Sequence, residues 1–96
     1  MAIFVTLYNF TDQGARNIKD SPKRLNTAIK AFEVKGGKLL GAYYMVGEYD
    51  LIIIAEIEDD RVGLAHTLET VSMGNVRSKT LLAYTPKEFA EIIKKM

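Results

Sequence analysis

The chain has 96 residues, of which 48% are hydrophobic and 26% are charged, so we expect one domain over residues 1–96 with a single core. Thirteen basic and twelve acidic residues leave a net charge of +1, which gives no field that favours nucleic acid or a membrane surface. Cysteine is absent, which excludes disulfides and thiolate metal sites and makes a cytoplasmic protein the expectation. No apolar stretch approaches the roughly 18 residues of a membrane-spanning helix.

The first half of the chain predicts a strand followed by a short helix and a longer one. Residues 2–10 are rich in β-branched and aromatic residues and have two apolar faces, as in a strand. Thr11 or Asp12 can cap a short helical turn, and Ser21 suits the N-cap of the longer helix, which ends at Gly36. The apolar stripe of this helix comprises Leu25, Ala28, Ile29 and Phe32.

A tight hairpin is predicted next, because Gly47 separates two apolar runs at residues 39–46 and 51–57. Glycine at the first central position of a two-residue loop fits a type II′ turn. If Val46 pairs with Tyr49, the register places Tyr43 opposite Ile52. The same register places Met45 opposite Asp50 and Gly41 opposite Ile54.

The rest of the chain predicts a helix, a strand and a C-terminal helix. Asp59 can cap the first of these helices, and residues 76–84 resemble a last strand. The helix that Asp59 caps has an apolar stripe, which comprises Leu64, Ala65, Leu68 and Val71. Residues 85–88 form a capping box that opens the final helix, whose apolar face carries Phe89, Ile92, Ile93 and Met96. The element order is that of an α+β, ferredoxin-like βαββαβ domain with a four-stranded antiparallel sheet.

Two helices can cover only one face of such a sheet. The more aliphatic set is assigned to the helix side: Leu40, Ala42, Tyr44, Val46, Leu51, Ile53 and Ala55. The other face is expected to carry Phe4, Thr6, Tyr8, Tyr43, Met45, Asp50, Ile52, Ile54, Glu56, Arg77 and Lys79. An uncovered patch of this kind exceeds what a monomer normally exposes. We therefore expect either the C-terminal helix or a second copy of the chain to cover it.

Four motifs carry a resemblance to a known family. They occupy residues 9–14 (Asn-Phe-Thr-Asp-Gln-Gly), 19–24 (Lys-Asp-Ser-Pro-Lys-Arg), 47–50 (Gly-Glu-Tyr-Asp) and 74–77 (Gly-Asn-Val-Arg). In this order they closely resemble the GYD-domain family. The resemblance implies a ferredoxin-like subunit of a dimeric α+β barrel, in which two sheets face each other, and it implies no particular activity.

Five residues are candidates for ligand binding: Asp50, Tyr8, Tyr43, Arg77 and Lys79. A carboxylate at position 50 could act as a general base or orient a ligand. Its structural alternative is an ion pair, for example with Arg77 or Lys79, or a turn-capping carboxylate that fixes the hairpin or the subunit interface. Tyr49 is expected to pack in the core. His66 falls opposite the predicted apolar stripe, on the solvent side, and Glu69 nearby makes a poor metal pair.

Three functions remain open. The first is an oligomeric module that binds a small metabolite between stacked sheets. The second is a cofactor-independent enzyme, of monooxygenase or isomerase type, that uses Asp50 and tyrosines. The third is a structural assembly unit with the cleft packed shut. No phosphate loop, dinucleotide fingerprint, serine triad or metal cluster is present, so no cofactor or metal is expected.

Overall fold

The structure is a computed structural model that describes residues 2–96. In chain order the elements are β1 (Ala2–Phe10), α1 (Asp12–Arg16), a 3-10 turn (Ile18–Asp20), α2 (Ser21–Val34), β2 (Lys38–Tyr44), β3 (Leu51–Ile57), α3 (Asp60–Ser72), β4 (Val76–Ala83) and α4 (Pro86–Ile93). This is the predicted α+β order, and it includes the predicted C-terminal helix.

The four strands form one antiparallel sheet in the order β2-β3-β1-β4, which is the ferredoxin-like arrangement. Helices α2 and α3 lie on one face, which we call the helix face, and the opposite side is the open face. The buried apolar residues Tyr8, Leu51, Ala55 and Ile57 all belong to the helix face. No helix within residues 2–96 is long and apolar enough to cross a membrane.

The prediction for the faces of β1 is wrong. Tyr8 lies opposite Leu51 and Thr6 lies opposite Ile53, and residues directly opposite in an antiparallel pair share a face. Phe4, Thr6 and Tyr8 therefore belong to the helix face, not to the open face. The alternate residues, Ile3, Val5 and Leu7, occupy the open face. Because both sides of β1 are apolar, alternation within the strand could not distinguish them.

The hairpin has the predicted pairs but a longer loop. Tyr43 pairs with Ile52, Gly41 pairs with Ile54, and the Met45 N–H donates to the Asp50 carbonyl at 2.8 Å. No backbone hydrogen bond joins Val46 to Tyr49 within residues 2–96, so the predicted two-residue turn is replaced by a loop over 46–49. Gly47 has a φ of +130°, a conformation that favours glycine.

An irregularity in β2 changes one more predicted position. The pairing with β3 shifts between Leu39 and Gly41, as at a β-bulge. Leu39 therefore lies opposite Ala55 on the helix face, while Leu40 is exposed. Val46, which was also assigned to the helix side, is fully exposed in the loop.

Helix α2 uses its predicted stripe, but its start differs from the prediction. Leu25, Ala28, Ile29 and Phe32 line the space between the helices and the sheet. Asp20 occupies the N-cap position, and Ser21 is the first helical residue. Ser21 is buried, and its hydroxyl is hydrogen-bonded to the Tyr44 hydroxyl at 2.9 Å. This serine therefore joins α2 to β2 instead of capping the helix.

Helix α3 is rotated relative to the predicted orientation. Leu64 and Leu68, expected in the core, are 52% and 60% exposed. Gly63 is buried instead, and a Cβ there would lie 2.9 Å from the Ile57 side chain. The missing side chain at Gly63 lets the helix approach β3 closely, and this packing overrides the apolar stripe. Asp59 caps the helix as predicted, accepting the Arg61 N–H at 3.0 Å.

Helix α4 does not cover the open face of the sheet. Its capping box is formed, with the Thr85 hydroxyl accepting the Glu88 N–H and the Glu88 carboxylate accepting the Thr85 N–H. The described chain is elongated, at 49 × 30 × 18 Å, and α4 makes no extensive contact with the other elements of residues 2–96. Its apolar face is exposed at Phe89, Ile92, Ile93 and Met96.

Candidate functional site

Asp50 joins the start of β3 to the end of β1. Its Oδ2 accepts the Phe10 N–H at 2.9 Å, and its own N–H donates to the Tyr8 carbonyl at the same distance. The carboxylate is half-buried, and within residues 2–96 it has no salt bridge to Arg77 or Lys79. Asp50 therefore has the geometry of a turn-capping carboxylate, one of its two structural alternatives, and not that of an ion pair. Its role in ligand binding stays a prediction.

The rest of the Gly47–Asp50 loop also contacts neighbouring strands. The Asn9 amide donates to the Glu48 carbonyl at 2.8 Å, so β1 holds the loop from the open face. The Tyr49 hydroxyl accepts a hydrogen bond from Lys79 Nζ at 3.2 Å, and the same Nζ lies 5.7 Å from the centre of the Tyr49 ring. Tyr49 therefore lies toward the open face, and the prediction of a core position on the helix side is wrong.

A second hydrogen-bonded cluster was missed by the sequence reasoning. The Thr11 N–H donates to the Asn75 carbonyl, and the Thr11 hydroxyl donates to the Gly74 carbonyl. The Gln13 amide donates to the Met73 carbonyl and to Asn75 Oδ1. Gly14 is buried so close to this segment that a Cβ would overlap the Asn75 carbonyl. The polar residues at 9–14 and 74–77 were the available signal: the sequence predicts a helix cap at Thr11 or Asp12 but no contact between the two segments.

All four motifs meet at one end of the sheet. The antiparallel order brings together the end of β1, the end of β2 and the starts of β3 and β4. The contacts of Asp50, Asn9, Thr11 and Gln13 lie there, as does the bond between Ser21 and Tyr44. In this arrangement the motif residues hold loops and strands to one another.

Three of the five candidate ligand-binding residues lie on the open face. Tyr43 is 62% exposed, Arg77 lies opposite Asn9, and Lys79 lies opposite Leu7. The hydrogen bond to Tyr49 raises the pKa of Lys79, whose side chain is exposed. Between these polar side chains the face is apolar and half-buried, through Ile3, Val5, Leu7, Ile52 and Ile54. Tyr43, Arg77 and Lys79 thus lie around an apolar centre.

Tyr8 lies on the other side of the sheet, in a cavity between the helix face and helices α2 and α3. The cavity has a volume of about 410 Å³. Burial raises the pKa of the Tyr8 phenol, and hydrogen bonding with Thr67 of α3 opposes the rise only in part. The structure therefore separates Tyr8 from Tyr43, Arg77 and Lys79, with which the sequence had grouped it.

His66 packs between helices α2 and α3 and is not on the solvent side. Its ring lies 5.3 Å from that of Phe32, and Lys35 Nζ lies 3.2 Å from its Nδ1 and 3.2 Å from Glu69 Oε2. The pKa of His66 is lowered by burial and by the Lys35 charge, against an opposing effect of Glu69. Within residues 2–96 there is no cluster of three or more His, Asp or Glu side chains that could hold a metal ion.

The comparisons with known proteins agree with the motifs. A family model described as the GYD domain matches residues 4–93. The chain belongs to the GYD domain family. It is also 30% identical over 84 residues to the glutamine synthetase and cystathionine beta-lyase binding protein of Thermus thermophilus, an alignment that covers 86% of this chain and 88% of that protein. No solved structure matches the chain significantly.

In this GYD domain, replacing Asp50 tests its structural role. We expect Asp50→Ala to lower the free energy of unfolding by about 1.5–3 kcal/mol, because the Phe10 N–H loses a charged acceptor. Asp50→Asn keeps an acceptor oxygen and should cost roughly 1 kcal/mol. Urea denaturation followed by circular dichroism measures both.

Asp20→Ala is the matched control for this pair. Asp20 is exposed and its side chain makes no capping hydrogen bond, so its replacement should change stability by less than about 0.5 kcal/mol. Equal losses in Asp50→Ala and Asp20→Ala would contradict the structural role of Asp50.

The environment of His66 predicts the direction of a pH dependence. The folded GYD domain binds the imidazole proton less tightly than the unfolded chain, whose reference pKa is 6.5. The stability from neutral His66 is therefore fully present above that value and is lost as the pH falls through the lower folded pKa. Since this is the only histidine, proton NMR follows its titration directly. Lys35→Met should raise the pKa of His66 and Glu69→Gln should lower it; no change in either variant would contradict the described cluster.

Proposed function

We propose that this GYD domain is a homo-oligomeric binding module that acts by contact with other proteins. The observation that carries the proposal is the uncovered open face, where Val5, Leu7, Ile52 and Ile54 form an apolar centre across the two middle strands. A contiguous apolar patch that no element of the same chain covers marks an interaction surface. The proposal includes a cytoplasmic location, which suits a chain without cysteine.

Self-association places the open faces of two copies against each other. Stacked sheets pack about 10 Å apart with their side chains interdigitated. The centre of this face is apolar, while charges lie at its margins: Lys38 lies opposite Glu56 on one side, and Arg77 and Lys79 lie on the other. An apolar core with a polar rim is the usual organisation of a protein interface. With a two-fold axis, both copies would contribute the same surface patch to the interface, as in most homodimers.

Helix α4 supplies a second contact between copies. Phe89 is 56% exposed and Ile93 is 49% exposed on a helix that does not cover the open face of its own sheet. An amphipathic helix of this kind is stabilised when its apolar side lies in a groove of another chain. In the proposed oligomer α4 therefore packs on the neighbouring subunit.

The helix layer stays accessible when the open faces stack, because it lies on the other side of each sheet. On its surface Leu64 and Leu68 of α3 are more than half exposed. We assign contact with a partner protein to this flank of α3. The support from relatives is that the similar Thermus protein is named for binding two enzymes, glutamine synthetase and cystathionine beta-lyase. The partner class inferred here is therefore a metabolic enzyme.

The sequence also predicts that the chain binds a small metabolite. In the proposed assembly this binding is restricted to the margins of the open face. Tyr43, Arg77 and Lys79 lie at the margins of the open face, so a metabolite held by them would contact both stacked sheets. Arginine and lysine there would favour a carboxylate or a phosphate. This role stays a prediction.

A charge at the centre of the open face tests the self-association. Ile54 lies between Val5 and Gly41, and Ile54→Lys would bury an unpaired ammonium if two faces stack. Sedimentation velocity should show an oligomer for the unmodified chain and a monomer for Ile54→Lys. Val34→Lys is the matched control, because Val34 is 88% exposed at the end of α2. A variant Ile54→Lys that sediments as the unmodified chain does would contradict the stacked faces.

Binding to purified enzymes tests the protein-partner role. The immobilised chain should bind glutamine synthetase or cystathionine beta-lyase from its own organism in biolayer interferometry. Leu68→Lys should weaken that binding by about tenfold or more, as expected for a central contact, while the oligomer and the Val34→Lys control stay unchanged. If neither enzyme binds the unmodified chain, these two enzymes are refuted as partners, and the proposal of self-association is unaffected.

A further inference from the structure

A cavity between the sheet and the helices has no role in the proposed function. Its volume of about 410 Å³ falls within the range of small-molecule sites. It is a concave space that is partly open at its edge, where exposed residues such as Lys23 line it. Concave, mostly apolar spaces of this size are typical of small-molecule sites. The cavity lies on the helix face, on the opposite side of the sheet from the open face.

The lining of the cavity has two sides. The side formed by α2, β2 and β3 is mainly apolar, with Leu25, Ile29, Phe32, Leu39 and Ile53. Its two hydroxyls are already engaged, Ser21 with the Tyr44 hydroxyl and Thr27 with the Lys23 carbonyl. This apolar side disfavours a filling of water, which needs several polar partners for each molecule.

The side formed by β1, β4 and α3 mixes apolar residues with the hydroxyl groups of Thr6, Tyr8, Thr67, Thr70 and Thr80. Thr67 and Thr70 already donate to carbonyls of their own helix. The hydroxyl groups of Thr6 and Tyr8 on β1 are the polar groups that a ligand would meet at the sheet side.

Two hydroxyl groups of β1 lie against the cavity. Thr6 is 5% exposed and Tyr8 is 8% exposed, and both line the cavity. Thr80 lies directly opposite Thr6 on β4, and the Tyr8 phenol lies two residues along β1 on the same face. Each of these hydroxyl groups can donate or accept a hydrogen bond, so they form a polar side to the cavity.

The charged residues near the cavity do not favour a charged ligand. Arg24 donates to the Asn17 carbonyl at 2.9 Å, and Glu69 pairs with Lys35 at 3.2 Å. Lys23 is exposed. Since an unpaired charge is costly to bury, a molecule that enters this space would be neutral at its buried end.

We propose that the cavity is a binding site for a neutral, mainly apolar small molecule that ends in a hydroxyl or carbonyl group. The apolar body lies against α2 and Ile53. The polar end forms hydrogen bonds with Thr6 and the Tyr8 phenol. The site is built within one subunit, so it depends neither on the stacked faces nor on a partner enzyme.

Fluorescence of N-phenylnaphthylamine, a neutral apolar probe, tests the site. The probe should bind the unmodified chain saturably, with one molecule per chain. Para-phenylphenol should displace it, whereas biphenyl carboxylate, of nearly the same shape but charged, should be about tenfold weaker or worse. Absence of saturable binding, or equal competition by the carboxylate, would overturn the proposal.

Three variants locate the probe. Ala28→Met places a longer side chain in the cavity from α2 and should abolish probe binding. Thr6→Val keeps the shape but removes the hydroxyl, so para-phenylphenol should bind about tenfold more weakly while the probe itself still binds. Ile54→Lys, on the open face, should leave probe binding intact. Loss of binding in Ile54→Lys together with retention in Ala28→Met would place the probe on the open face and refute the cavity site.

A measurement on the unmodified chain covers the case in which Ala28→Met does not fold. Nuclear Overhauser effects should connect the aromatic protons of bound para-phenylphenol to the methyl groups of Thr6 and Thr67. Contacts to Ile52 or Ile54 in their place would contradict the proposal. Because a monomeric chain should still bind the probe, failure of this site and failure of self-association are distinguishable.

Discussion

Two hydrogen bonds at Asp50 fix the end of the β1–β3 ladder, next to the pair Tyr8–Leu51: the Phe10 N–H donates to the carboxylate and the Asp50 N–H donates to the Tyr8 carbonyl. In a sheet, a shift of one residue moves every side chain of a strand to the opposite face. The amino-acid sequence of β1 gives little protection against such a shift, because both of its sides are apolar. The division of the molecule into a helix face with a cavity and an open face without a cover therefore depends on the β1–β3 register, and the Asp50 contacts fix that register at its end.

The other motif residues extend the same function around one end of the sheet. Asn9 holds the hairpin loop, Thr11 and Gln13 hold the segment before β4, and Ser21 joins α2 to β2. Each contact links parts of the chain that are distant in sequence. The motifs that identify the family thus have a structural role: their residues hold the segments of the fold together. The surfaces proposed for binding lie elsewhere, on the open face, the flank of α3, and the cavity.

The element order and the hairpin pairs could be predicted, because alternation, capping residues and Gly47 are local signals. The faces of β1 could not, since they depend on pairing with β3, and a strand with Phe4 and Tyr8 on one side and Val5 and Leu7 on the other has no polar side. The rotation of α3 was also hidden. An apolar stripe predicts that Leu64 and Leu68 face inward, but the close approach at Gly63 turns small and polar residues toward the sheet. Of the candidate site, the positions of Tyr43, Arg77 and Lys79 were predictable, and the separation of Tyr8 from them was not.

The central claim is that the open face is an interface between copies of the chain. Native mass spectrometry of freshly purified, unmodified protein tests it most directly, because it counts subunits without a probe or a substitution. The account predicts a dimer, or a larger assembly with an even number of subunits, as the main species at low micromolar concentration. A monomer under the same conditions, with the folded charge-state distribution retained, would contradict it.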